Sequence, residues 1–282
     1  MTEQGAHDRG SFEAQGSAFL KQNISEKPEF DYAENRPPRS YELAGKTLTL
    51  ALRDKPDRLR HVFGEREVEV EALGGAGAGG VGAPSRITVP YDAFEMGADI
   101  FFVTYLATET GSVAMALDLT KGVATVVRGE MTDRGIVSSV EAARVEEVKI
   151  SVPVAYHPAF SLGGTRFLNT YAHNVAYEHI YLTGVYETWM GVKGPQAAQA
   201  DTEEYFAFKI ADGVYLLYWN EGVLTAQMTF LFNFFRGNCV AELFARVEGD
   251  RVHSTIGAYT HLIHTKLAEL PNVTRLDIFS GD

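Results

Sequence analysis

From Tyr41 onward, apolar and polar residues alternate in short runs, or collect in short wholly apolar runs, with turn residues between them. Examples are KTLTLALR, EVEVEAL, RITVPYDAF, DIFFVTYLA and SVAMALDL in the first half, and YEHIYL, EEYFAFKI, GVYLLYWN and CVAELFARV in the second. Side chains of a strand alternate between its faces, so this period of two, repeated between turns, predicts many short antiparallel strands. The expected fold is all-β, built as barrels or sandwiches. Residues 1 to about 40 follow neither period and carry several prolines. They are expected to form an arm that lies over the surface or stays disordered.

The two halves resemble each other. LAGKTLTL at Leu43 aligns with LGGTRFLN at Leu162, RHVF at Arg60 with EHIY at Glu178, and MGADIFFVTYL with IADGVYLLYWN. An offset of roughly 115 residues is too long for a solenoid repeat and suits a duplicated barrel domain. The expected plan is two tandem antiparallel β-barrels, with an arm over 1–40, a first barrel over 41–150, and a second barrel with a C-terminal tail over 151–282. The join, around 135–160, contains SSVEAARVEEV, which reads as either a strand or a short helix.

YAHNVAYEHIYL, YETW and ADTEEYFAFKIADGVYLLYWNE in the second half resemble the C-terminal domain of the molybdenum-cofactor-biosynthesis protein F (MoaF) family. The stretch from LAGKTLTL to GVATVVRG is similar, more weakly, to its N-terminal domain. The resemblance covers about residues 40 to 265. It implies two tandem lipocalin-like (calycin) barrels and, by the family's name, a connection to a molybdenum-cofactor pathway.

Composition narrows the partners. A net charge of −12 repels nucleic-acid phosphates and anionic lipid surfaces, and no apolar run is long enough to span a bilayer. The sequence MTEQGAHDRG lacks the basic-then-apolar layout of a secretory signal, so cytoplasmic residence is expected. Cys239 is the single cysteine, which leaves no partner for an internal disulfide, and its strand-like surroundings predict a core residue. GGAGAGGVG at Gly74–Gly82 invites comparison with a phosphate loop. It is followed by Pro84 and a strand pattern rather than a helix, so it reads as a hairpin insert.

The candidate site comes from YAHNVAYEHIYLTGVYETWMG. On a strand, Tyr171, His173, Val175, Tyr177, His179 and Tyr181 share one side. Both faces of this strand are mostly large or apolar, which predicts cover on both sides. In GVYLLYWNEG, Tyr215, Leu217, Trp219 and Glu221 share a face. Small-molecule cavities are mostly apolar and aromatic with a few placed polar groups. Tyr177, Tyr181, Trp189, Tyr215 and Trp219 are therefore candidate ligand-binding residues beside His179 and Glu221, all in the second barrel. A carboxylate beside His179 would orient its ring, and Glu221 or Glu178 is the expected partner, giving an acid–base set of His179, Glu221 and Glu178. The counterpart of His179 in the first repeat is His61, with Arg60 in place of Glu178 and Phe63 in place of Tyr181. The first barrel thus reads as a structural partner. His173 and His179 lie six apart, roughly 20 Å along a strand, too far to share an ion, so no metal is expected.

Two functions are expected, the first favoured by the His–carboxylate content and the second by what the resemblance implies. One is a cofactor-independent lyase or isomerase acting on a small aromatic or carboxylated metabolite through His/Glu acid–base chemistry. The other is a non-catalytic binding protein for a pterin-like or other planar heterocycle of a molybdenum-cofactor pathway. The expected partner is a small-molecule ligand, with no cofactor, nucleic acid or membrane, and a homodimer is an open arrangement.

Overall fold

The computed structural model describes residues 30–73, 86–150, 153–222, 224–247 and 249–270, and the Gly74–Gly82 stretch lies outside them. Among the described residues, sixteen strands form two closed barrels of eight, and neighbouring strands pair antiparallel throughout. The first holds β1 (Thr47–Leu52), β2 (Arg58–Phe63), β3 (Glu67–Leu73), β4 (Arg86–Gly97), β5 (Ile100–Leu106), β6 (Gly111–Asp118), β7 (Val123–Thr132) and β8 (Gly135–Val145). The second holds β9 (Arg166–Ala172), β10 (Val175–Tyr181), β11 (Tyr186–Lys193), β12 (Ala200–Ala211), β13 (Val214–Asn220), β14 (Ala226–Asn233), β15 (Asn238–Val247) and β16 (Asp250–His264). No helix is present among the described residues, hence none long and apolar enough to cross a membrane. The join that read as strand or helix is strand β8.

Each strand pairs with the next in sequence, and the barrels close through Leu50↔Val145 and Tyr259↔Thr170. Alternation explains the half-buried strands: in EVEVEAL, Val68 and Val70 are buried while Glu67 is exposed. The continuous apolar runs have a different cause. Strands β5, β6, β13 and β14 bury nearly every residue because one face lines a barrel and the other packs against the second barrel. Phe94, Phe102 and Ala116 of the first barrel thus form one core with Leu216, Leu231 and Val240 of the second. A polar knot lies at the same junction. The buried Glu242 carboxylate accepts hydrogen bonds from Thr104 Oγ1 at 2.5 Å and Ser112 Oγ at 3.3 Å, and meets His253 Nε2 at 2.8 Å.

The described part of the expected arm does more than lie over the surface. Tyr32 is buried in the core of the second barrel, and Asn35 Nδ2 donates to the Thr170 carbonyl of β9. Farther on, Arg39 pairs with Asp92 and the Ser40 amide donates to the Ala93 carbonyl, both on β4. The segment therefore straps the second barrel to the first.

Candidate functional site

Tyr177 and His179 on β10 and Trp189 on β11 enter the second barrel together, because the hairpin register sets His179 opposite Trp189 and Tyr181 opposite Glu187. Trp219 comes from β13, and Glu221 follows that strand's end. Together with Tyr32, Tyr171 and Gln196 they line a cavity of about 70 Å³. Two polar chains organise its walls. Tyr32 and Tyr177 hydroxyls are 2.8 Å apart, and Tyr177 donates onward to Gln196 Oε1 at 2.9 Å. The Trp219 indole N–H donates to Glu221 Oε1 at 2.9 Å, with the Trp189 indole also bearing on that carboxyl.

His179 is only 3% exposed, and its Nδ1 lies 3.3 Å from Oε2 of the fully buried Glu187. A carboxylate only accepts, so Nδ1–H is the donor, and in the neutral ring Nε2 then carries the lone pair. Nε2 is buried and has no hydrogen-bond partner among the described residues. The ring is wedged between Phe167 at 5.3 Å and Trp219 at 5.9 Å between centroids. Packing on both sides and the carboxylate behind it fix its orientation.

The surroundings are acidic. Glu187 stands directly opposite Glu203 of β12, and Trp189 opposite Asp201. Burial, and then the charge of Glu221, push the Glu203 carboxyl up to about 8. Burial likewise raises Glu221 to about 7, against the hydrogen bond from Trp219, and the nearby charges of Glu187 and Asp201 add to the rise. By the same desolvation, the Tyr177 and Tyr171 hydroxyls are held above the usual phenol range.

The first barrel is an internal control. Register matches Phe63 with Tyr181, Val68 with Glu187 and Tyr105 with Trp219. His61 is satisfied at both nitrogens, Nδ1 by the Leu59 carbonyl at 3.2 Å and Nε2 by the Tyr105 hydroxyl at 2.9 Å. Burial lowers it to about 4, so it is a neutral core residue. In the second barrel a tryptophan replaces the phenol that caps the ring and turns its N–H to Glu221 instead. That exchange leaves His179 Nε2 without a hydrogen-bond partner among the described residues, on a ring that lines the cavity.

Five of the sequence-predicted residues meet at this cavity: Tyr177, His179, Trp189, Trp219 and Glu221. Three do not line it. Glu178 points the other way and pairs with Arg166, so the expected partnership with His179 is corrected: Glu187 holds the imidazole. This follows from alternation, since Glu178 and His179 are adjacent on one strand and must face opposite sides. Tyr181 packs on Phe167 and Tyr205, and Tyr215 donates to Glu269 at 3.0 Å beside Phe160. His173 leaves the expected face altogether, because it sits exposed in the β9–β10 turn near Glu34. Cys239 is fully buried, and burial raises its thiol to about 12. Sequence reasoning missed Glu187, Gln196 and Tyr32. For Glu187 the signal was present in YETW, where it alternates with Trp189. Nothing in an aperiodic arm marks Tyr32.

A profile of the MoaF N-terminal domain matches residues 30–133 and one of the MoaF C-terminal domain matches residues 156–266. The chain belongs to the MoaF family. Among characterised sequences it is similar to Protein MoaF of Klebsiella aerogenes, 26% identical over 151 residues, which cover 48% of this chain and 58% of that protein. The chain thus spans little more than half the length of that MoaF relative. A crystal structure of a putative beta-lactamase from Burkholderia vietnamiensis matches 38% of this chain and 99% of its own at 16% identity, with a TM-score of 0.33. A sliding clamp from Pseudomonas aeruginosa matches 91% of this chain and 84% of its own at 7% identity, with a TM-score of 0.12. Likenesses at that level carry no argument about this MoaF-family chain.

Proposed function

We propose that the protein is a cofactor-independent lyase or isomerase acting on a small metabolite held in the second barrel. The observation that supports this reading is His179: one nitrogen tied to a buried carboxylate, the other an unpartnered lone pair on a ring that lines an aromatic cavity. A general base needs this arrangement, in which the orienting carboxylate also stabilises the imidazolium formed when Nε2 takes a proton. Glu221, with its carboxyl near 7, stands in the same cavity to give a proton, so a substrate proton is moved or a leaving group protonated with the protein's proton count unchanged, and the proton left on His179 returns to Glu221 through solvent before the next turnover. Tyr177 and Gln196 position the substrate.

In this reading His179→Gln lowers turnover by roughly 10²–10⁴ while ligand affinity stays within a few-fold. Substrate consumption by a metabolite mixture, followed by mass spectrometry, checks it. An unchanged rate in the variant sinks the catalytic role.

A second reading has support in Trp219, whose ring stacks on Phe230 at 5.1 Å and 9° beside the cavity. A planar heterocycle, pterin-like as the family's name suggests, would extend that stack in a non-catalytic binding protein. Under it, His179→Gln changes affinity and there is no turnover to lose.

A further inference from the structure

Most of the cavity's polar groups accept, the Gln196 amide N–H₂ being the exception. His179 Nε2 carries a lone pair, Glu221 presents a carboxyl, and the Tyr177 hydroxyl, its proton on Gln196, already accepts from Tyr32. Lysine and arginine are absent from its lining among the described residues. Glu187, Glu203 and Asp201 stand behind that lining. The walls are the rings of Tyr32, Tyr171, Tyr177, Trp189 and Trp219, whose π faces attract cations and whose edges do not offer a countercharge to an anion. A carboxylate placed here would meet like charge, with the neutral Gln196 amide rather than a cation to pair it.

We propose that this cavity selects a small organic cation bearing an ammonium group, in preference to a carboxylate or a neutral molecule of the same shape. The inference rests on reading the cavity as a small-molecule site and narrows the substrate class. The ammonium donates to His179 Nε2 and to Glu221, and its charge is shared with the tyrosine and tryptophan faces. The first barrel again supplies the contrast. At the places of Glu187, Glu203 and Glu221 it carries Val68, Val89 and Ala107, and its histidine has no nitrogen to spare. The duplication has concentrated acidity in one barrel, around the unpartnered nitrogen. The acidic groups are more than a solvated rim, because Glu187 and Glu203 are buried.

The test compares three probes of one shape and different charge: benzylammonium, benzyl alcohol and benzoate, titrated into the full chain at pH 7.5. Both tryptophans line the cavity, so their fluorescence reports occupancy directly. The expected result is a Kd for benzylammonium roughly tenfold or more below those of the other two. Glu221→Gln should weaken the cation by a similar factor and leave benzyl alcohol nearly unchanged. Benzoate binding as tightly as benzylammonium, or cation binding indifferent to Glu221→Gln in a variant with the wild-type circular-dichroism spectrum, overturns the cation selection while the ligand cavity stands. Failure of all three probes to bind the wild-type protein overturns the cavity reading as well. The wild-type comparison decides the question even if the variant does not fold.

Discussion

Glu221 has a carboxyl that titrates in the physiological range, and this has a cost for the unliganded fold. Burial raises its folded value to about 7 from an ordinary 4.5, so between those limits the folded state holds a proton that the unfolded chain has released. The stabilisation is complete below about 4.5 and is lost as pH rises through 7. Glu203, raised to about 8, extends the loss upward. Thermal melts from pH 5 to pH 8 should therefore show Glu221→Gln gaining on the wild type as pH rises. A constant difference would mean that Glu221 titrates normally. At this scale the sequence was partly legible. His179 and Trp219 stand out by type and alternation, whereas the acidity around them depends on which glutamates face each other across strands. That pairing is set by a register spread over β10 to β13, which no single segment reveals.

At the scale of the element, the β10–β11 hairpin and the loop after it set the cavity's edge. Gly191 lies opposite Tyr177, and a Cβ placed on it would stand 2.0 Å from the Gln196 carbonyl oxygen. The obstacle is backbone, so the loop must move. Gly191→Ala is expected to cost about 1–3 kcal/mol and to carry Gln196 away from Tyr177, lowering ligand affinity as well. Urea unfolding and a binding titration on the same variant check both parts, and a neutral result would show the loop to be pliant. Strand positions were the most readable feature of the chain, because EVEVEAL and EEYFAFKI alternate cleanly. Register shifts such as the one between Ala176 and Tyr177 were not, since a bulge changes facing without changing composition.

In the whole molecule, the two barrels share a core and the buried Glu242 knot. Glu242→Ala removes the acceptor of Thr104 and Ser112 in the first barrel and of His253 in the second, leaving Ser112 without it and Thr104 and His253 with their mutual contact at 3.2 Å. A loss of about 3 kcal/mol is expected, with one calorimetric transition broadening or dividing into two as the barrels uncouple. A sharp, unshifted transition would show that the apolar junction suffices. The duplication was visible in sequence, and so was the number of barrels. The junction was not: FFVTYLA and TFLFNF read only as buried strands, with nothing to say that the second cover is the other barrel.

The strap that carries Tyr32 ties a wall of the second barrel to sequence that precedes the first. A cavity wall of the later barrel is encoded ahead of the earlier one, so a recombination event with its breakpoint between the barrels would deliver a C-terminal module without that tyrosine. Shuffling of such modules would forfeit that wall even where each barrel folds.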